Sequence, residues 1–384
     1  MFTVIIFLAV LSVLVLAHEL GHFLTARRYG AKAEEFGLGF PPRAVGVYKS
    51  TDGSWKKVFG SREVEDAADT VYSLNWLPLG GFVKIKGEDG ESEDPDSFVS
   101  KKMWQKAVIL VAGVTMNIIL AFVLISFGYM IGFPQTIDNN SEGKVIDQQI
   151  QVVDLLEGSA ADLAGVKPGD VVTGIDGIDF ENFEALQNYV NENVGNEITY
   201  EVRRGYEEME FVLIPEVREE TNRGGVGVSI VETGTVKYSF FRAIWEGMKT
   251  TVVITWMIFL AFLGLIRDLV MGSGVSADVA GPVGIAVITG QAARLGFAHL
   301  LQFTALLSIN LAIINILPIP ALDGGRLLFL AIEKIKGKPM KKETEALVHN
   351  IGFLLLMLLI LVVTFKEVSK FGGAITGLFS KIIN

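Results

Sequence analysis

Apolar residues fall into five long blocks separated by stretches of mixed composition. The first opens at Phe2 and carries no charge through Leu16, and the helix it predicts runs to about Tyr29, closed by Arg27, Arg28 and Lys32. An uncharged stretch of that length spans a bilayer, and basic residues at one end mark that end as cytoplasmic. The N-terminus is therefore expected outside. No basic leader or small-residue cleavage site is present, so residues 1–30 read as a retained first transmembrane helix rather than a signal peptide.

Residues 31–104 are soluble in composition and read as short strands on the cytoplasmic side. Glu35 to Phe40, Ala44 to Tyr48 and Val71 to Trp76 cluster or alternate apolar residues between glycines and prolines, and Pro78 to Ile85 reads as a turn feeding another strand. A membrane-associated set of antiparallel hairpins fits this pattern, with the acidic stretch Glu88 to Asp96 as a solvated connection. Lys101, Lys102 and Lys106 lead into a second span over residues 105–133, which runs outward. Residues 134–237 turn acidic and globular. They predict a strand from Val152, a short helix capped near Ser159, a turn at Lys167 to Asp170, a helix over Ala185 to Val190 and a hairpin from Ile198 to Ile214.

Within residues 238–300, Thr250 to Ile266 is apolar enough to span. The lysines that follow the next apolar block, Lys334, Lys336, Lys338, Lys341 and Lys342, mark the 334–348 loop as cytoplasmic. Counting back from them puts residues 267–300 outside, so Thr250 to Ile266 is expected to be a re-entrant or interfacial helix. Residues 301–333 make the third span, and 349–384 the fourth with a tail. The fold expected is a polytopic α-helical membrane protein. It has about four transmembrane helices plus the re-entrant or interfacial helix, a membrane-associated β-hairpin region and one extracytoplasmic globular domain.

Composition supports the membrane reading and narrows the chemistry. Half of the 384 residues are hydrophobic, and the mean hydropathy is +0.44, too apolar for an ordinary soluble chain. The net charge of -10 argues against a nucleic-acid partner. With no cysteine, the four histidines and the carboxylates are the only strong metal ligands.

Two stretches carry candidate chemistry. His18-Glu19-Leu20-Gly21-His22 sits where the first span is finishing. On a helix its histidines are four apart on one face and can reach one metal ion, with Glu19 beside them as a base, the HExxH pattern of zinc hydrolases. Such a pattern also arises by chance, and a third ligand must come from elsewhere. The second stretch runs from Ser308 to Arg326. Asn310 and Asn315 are amides in an apolar helix, Pro318 and Pro320 break it, and Asp323 follows at the break, an arrangement tolerated at membrane depth where it lines a cavity. In the second span Gly113 and Asn117 share a face and read equally as helix packing or as part of a site. His299 and His349 fall in no ligand pattern and are expected to be ordinary loop or helix-end residues.

Taken together and in this order, His18 to His22, Gly113-x-x-x-Asn117 and Asn315-x-x-Pro318-x-x-x-Leu322-Asp323-Gly324 resemble the site-2 protease family of intramembrane zinc metalloproteases, most closely the bacterial regulator-of-sigma-E protease group. The likeness covers nearly the whole chain. Residues 141–217 resemble a bacterial PDZ domain, through Ala161-x-x-Ala164-Gly165-Val166-x-x-Gly169-Asp170. There is room for one such domain rather than a tandem pair.

The resemblance implies Zn2+ held by His18, His22 and Asp323, with Glu19 as general base. It implies a transmembrane protein substrate such as an anti-sigma factor or a signal-peptide remnant, cut inside the bilayer. Asn315 would position substrate or oxyanion, and the Gly80 to Ile85 strand would pair with the unwound substrate. Candidate substrate contacts are therefore Asn315, Asn310, Asn117, Pro318, Gly81, Phe82 and Val83. The remaining expectations are a bacterial cytoplasmic membrane with lipid around the helices, the PDZ domain outside, either binding an exported peptide or C-terminus or only blocking access sterically, and the active site toward the cytoplasm. A PDZ-bearing scaffold without catalysis would share the topology but hold no zinc. Transporters also have broken helices, but no internal repeat of their kind is seen.

Overall fold

The chain begins in α1 (Phe2–Arg28), 27 residues with Arg27 and Arg28 in the last turn, about 40 Å of helix. The computed structural model describes residues 2–88, 92, 94–137, 144–180, 182–205, 207–218, 223–272, 280–338, 340 and 342–383. Parts of four predicted features lie outside the described residues: 89–91 and 93 of the acidic connection, 141–143, 181 and 206 of the PDZ-like stretch, 273–279 of the 267–300 loop, and Lys341. The chain divides into two compact units, residues 1–125 with 247–384, and residues 126–246.

In the first unit, β1 (Ala33–Lys49), β2 (Trp55–Phe59) and β3 (Val71–Ile85) form a sheet in the order β2-β1-β3. Both long strands bend. Phe36 of β1 pairs with Val83 on one side and with Tyr72 on the other, so the two ends of β3 flank the first half of β1. One face of α1 lies along this sheet. Ser12 Oγ accepts the Gly80 N–H at 3.3 Å, the Phe23 ring stacks on Phe36 at 4.7 Å, and Arg27 reaches Tyr72 at 3.0 Å and Asp69 at 2.8 Å. These positions on α1 recur about every four residues, the spacing of one helical stripe. The predicted strands are thus present, merged into two bent ones.

Helix α2 (Met103–Ile131) follows. The second unit, taken alone, is a six-stranded sheet in the order β4-β11-β5-β6-β7-β8. Its strands are β4 (Phe133–Thr136), β5 (Lys144–Leu155), β6 (Val171–Ile175), β7 (Ile198–Arg204), β8 (Glu207–Leu213) and β11 (Val228–Lys237), and its helices are α3 (Ala160–Ala164) and α4 (Phe183–Glu192). A small ladder, β9 (Glu216–Arg218) with β10 (Arg223–Gly225), lies between β8 and β11 in the chain. Ile150, Val152, Ile175, Leu186, Ile198 and Leu213 make its core. The Ser159 side chain caps α3 as expected, accepting from the Asp162 N–H. The domain runs further than residue 217, however, because β11 returns to pair with β5 and β4. That pairing joins segments about eighty residues apart and leaves no local mark in the sequence.

Asp170, 1% exposed, accepts from Arg204 Nε and Nη2 at 2.7 Å each and from the Lys167 N–H at 2.8 Å. Burial pushes this carboxyl up, but the Arg204 hydrogen bonds, the Lys167 N–H and the two cationic charges together leave it below the usual carboxylate range. A lowered pKa contributes stability above the unfolded value of about 4, and that stability is lost as pH falls through the folded value. Asp170→Asn is expected to weaken hydrogen-exchange protection of β6 and β7 by about 3 kcal/mol at pH 7. The difference from wild type should shrink as the buffer is taken below about pH 4.

Helix α5 (Phe240–Met271) is one unbroken helix of 32 residues, in the first unit from Gly247 onward. A re-entrant segment must turn back on itself. Thr250 to Ile266, expected to be re-entrant or interfacial, lies in the middle of this continuous helix, which excludes the first alternative and leaves the second. Among the described residues, five helices are long and apolar enough to span a membrane, α1, α2, α5, α7 and α9. Helix α6 (Pro282–Leu295) is a shorter piece of 14 residues. The third predicted span is divided. Helix α7 (Phe297–Ile316) stops before Pro318, and α8 (Asp323–Lys336) starts at Asp323. Helix α9 (Lys342–Ile383) closes the chain. The apolar windows of α2 and α7 are each 39% buried inside the protein and those of α5 and α9 only 6%, so α2 and α7 form the interior of this unit.

Candidate metal centre

His18 and His22, both 7% exposed, project from α1 one turn apart, and their Nε2 atoms lie 3.1 Å from each other. Asp323, the first residue of α8, brings its Oδ2 to 3.1 Å from His18 Nε2 and 3.3 Å from His22 Nε2. These three side chains are the group able to hold a metal ion among the described residues. Donors about 2.0–2.1 Å from a tetrahedral zinc lie about 3.3 Å from one another, close to the spacing seen.

Helix α2 sets the histidines. His22 Nδ1 is 2.9 Å from the Ile109 carbonyl, which can only accept, so Nδ1 carries the proton and Nε2 presents a lone pair. Asn117, fully buried, places its amide 3.4 Å from His18 Nδ1, and its Oδ1 has no partner. Rotating the amide by 180° brings Oδ1 onto His18 Nδ1–H and gives His18 the same tautomer. Between Ile109 and Asn117 stands Gly113. A Cβ there would lie 2.7 Å from His18 Cε1 and 2.8 Å from His22 Cε1, closer than side-chain carbons pack. Ile109, Gly113 and Asn117 are four apart and make one rail on α2 against which both rings rest. Gly113→Ala is therefore expected to displace the rings and weaken zinc binding about tenfold or more, measured by competition with a chromogenic chelator.

Asp323 Oδ2 is buried and has no hydrogen-bond donor. With neutral rings it faces the lone pair of His22 Nε2, an acceptor against an acceptor. A cation between them satisfies both, and two imidazoles with one carboxylate form a donor set that zinc hydrolases use. The residues present fit the ion.

Glu19 lies on the adjacent side of α1, and its Oε2 accepts the Val83 N–H at 3.1 Å. Val83 is in the Gly80 to Ile85 part of β3, so the strand expected to take substrate is tied to Glu19. Gly81 packs against Leu16 of α1, and Phe82 beside Gly37. Asn117 is buried behind His18 and is linked to α7 by the Ser308 hydroxyl, which donates to its carbonyl at 2.7 Å, so its amide is placed at a histidine. Asn310 donates to the Leu306 carbonyl of its own helix at 3.1 Å. It is five residues from Asn315, about 140° round the helix, whereas Ser308 and Asn315 are seven apart and share a face. That periodicity was available in the sequence. Asn315 is half-buried near the end of α7, and Pro318 is exposed in the break. His349 also has a partner, accepting the Ala321 N–H at 2.9 Å on Nδ1.

In the second unit a cleft of about 310 Å³ lies between α4 and β11, lined by Phe183, Leu186, Val190, Val228 and Ile230. Strand β4 covers β11 only from Thr233 to Val236, so Val228 to Val231 presents an open edge beside α4.

Apolar helices gathered round a buried His, His and Asp define a helical membrane protein with a metal centre. The family model described as Peptidase family M50 matches residues 6–359. The regulator of sigma-W protease RasP of Bacillus subtilis is 32% identical, over 96% of this chain and 98% of its own. The zinc metalloprotease RasP of Geobacillus kaustophilus is 31% identical over the same shares. Among solved structures, the PDZ domain of an SdrC-like protein from Listeria innocua covers 21% of this chain and 92% of its own, at 23% identity and a TM-score of 0.20. The chain belongs to Peptidase family M50, the site-2 protease family, and is an integral membrane protein.

Proposed function

We propose that this protein is a zinc-dependent endopeptidase that cuts single-span membrane proteins inside the bilayer, with His18, His22 and Asp323 as zinc ligands and Glu19 as general base. The observation that carries the reading is the convergence of three buried acceptors within 3.1–3.3 Å of one another, two from the apolar helix α1 and one from the start of α8, beside the Glu19 carboxylate. Ionisable groups at such a place need a function. Zinc, when bound, polarises the scissile carbonyl and acidifies a water. Glu19 takes the proton of that water and passes it to the leaving amide nitrogen. The Val83 N–H orients the Glu19 carboxylate toward this task. Asn315 donates to the oxyanion from the end of α7.

A helical substrate hides its carbonyls in its own hydrogen bonds and must unwind to be cut. Gly81, Phe82 and Val83 hold the unwound segment as an added strand. The open edge at Val228 to Val231 takes an extended exported peptide or C-terminus in the same way. The basic end of α1 supports an active site toward the cytoplasm and a PDZ domain outside. The Bacillus subtilis relative is named as a regulator of sigma-W, which agrees with a substrate in sigma-factor control such as an anti-sigma factor, and signal-peptide remnants are single apolar spans of the kind this site would take. The test is cleavage of a single-span reporter by the wild type and by Glu19→Gln in the same vesicles. Equal rates in the two would overturn the reading.

A further inference from the structure

The break between α7 and α8 is gripped from α9. The His349 Nδ1 accepts the Ala321 N–H at 2.9 Å, and Ala321 holds φ 78, a left-handed conformation that a residue with a Cβ keeps only when its surroundings impose it. One turn along α9, a Cβ on Gly352 would lie 2.8 Å from the Pro320 carbonyl oxygen, so the loop backbone seats directly on this glycine. The His349 ring also packs on Phe329 of α8, with centroids 5.3 Å apart. The grip thus closes on Pro320, on Ala321 and on the body of α8, and the next residue after Leu322 is Asp323.

Two features make this contact specific. Accepting at Nδ1 puts the proton of the neutral ring on Nε2, which is buried without a partner. A buried N–H left unpaired is unfavourable, so an apolar residue would pack better here unless the acceptor were needed. The prolines, moreover, remove two N–H groups from the break, and Ala321 offers one of the few donors by which the loop can be tied down.

We propose that His349 is a positioning residue for the metal centre. Through the Ala321 N–H it holds residues 317–322 in the conformation that presents Asp323 to His18 and His22. This rests on the reading of Asp323 as a zinc ligand. It makes α9, which contributes no ligand, part of the geometry of the site.

The experiment is the zinc dissociation constant of the full-length protein in detergent, by competition with a chromogenic chelator, for wild type, His349→Leu, His349→Asn, Gly352→Ala and Asp323→Ala. His349→Leu is expected to bind zinc about 10- to 100-fold more weakly, the range for residues that orient a ligand. His349→Asn, whose Oδ1 falls near the place of Nδ1, should stay within about threefold of wild type. Gly352→Ala keeps every polar group but pushes on Pro320, and should weaken binding about tenfold. It carries the test if His349→Leu does not fold, and wild-type affinity in it would then overturn the proposal. Affinity within threefold of wild type in a folded His349→Leu, or equal losses in His349→Leu and His349→Asn, would overturn it too. Asp323→Ala separates the two ideas: unchanged affinity there removes the zinc-ligand reading itself, whereas a loss there with none in His349→Leu removes only this inference.

Discussion

Glu19→Gln is expected to bind one zinc as tightly as the wild type and to cleave about 10²- to 10⁴-fold more slowly, the usual contribution of a positioned general base. The carboxylate is not a ligand, so metal content should not move. The Gln amide oxygen can still accept the Val83 N–H, so the strand stays where it is. What is lost is the capacity to take and return a proton. The loss should therefore fall on kcat and leave KM close to wild type. Zinc stoichiometry by elemental analysis and initial rates on a single-span reporter check both halves. A Glu19→Gln protein depleted of zinc would mean that Glu19 is part of the metal site rather than its base.

Removing Asp323 should act the other way. Asp323→Ala leaves two imidazoles, which hold zinc poorly, and the purified protein is expected to carry well under one zinc and no measurable activity. Without metal, a proton taken up by the imidazoles pairs them with the Asp323 carboxylate at 3.1–3.3 Å, so metal-free Asp323→Ala is expected to melt somewhat lower than metal-free wild type. Adding zinc should raise the wild-type Tm by linkage and leave that of the variant unchanged. Thermal melts with and without chelator separate these outcomes. A variant whose Tm still rises with zinc would contradict the role given to Asp323.

Val83 connects these results to substrate handling. Its N–H belongs to the strand expected to receive substrate, yet it already donates to Glu19. A substrate strand added beside Gly81 to Val83 must therefore share the space next to the base.

Much of this protein was legible in its sequence, because the bilayer imposes a simple code. Spans must be long and apolar, basic residues collect at one end, and an ionisable group inside a span is costly enough to mark a site. So α1, α2, α7 and α9 were marked by their apolar blocks, and His18, Glu19, His22 and Asp323 stood out as candidates, Asp323 as a ligand only through the family resemblance. Within the second unit the Ser159 cap and the Lys167 to Asp170 turn were equally plain, since caps and turns are written in neighbouring residues. The unbroken course of α5 was not, because charge counting infers which side a loop lies on and not whether a helix continues through it.

What only the tertiary structure decided are contacts between segments far apart in the chain. No local pattern states that the Ile109 carbonyl orients His22, that Asn117 sits behind His18, that Val83 holds Glu19, or that β11 returns to β5. The sequence by itself determined which residues could carry the chemistry, since composition and helical spacing restrict the choice to a few buried polar groups. Packing of α2, β3 and α9 on α1 and α8 decided the tautomer, the spacing and the support of those groups, because hydrogen bonds of this kind depend on distances of tenths of an ångström that only the assembled helices define.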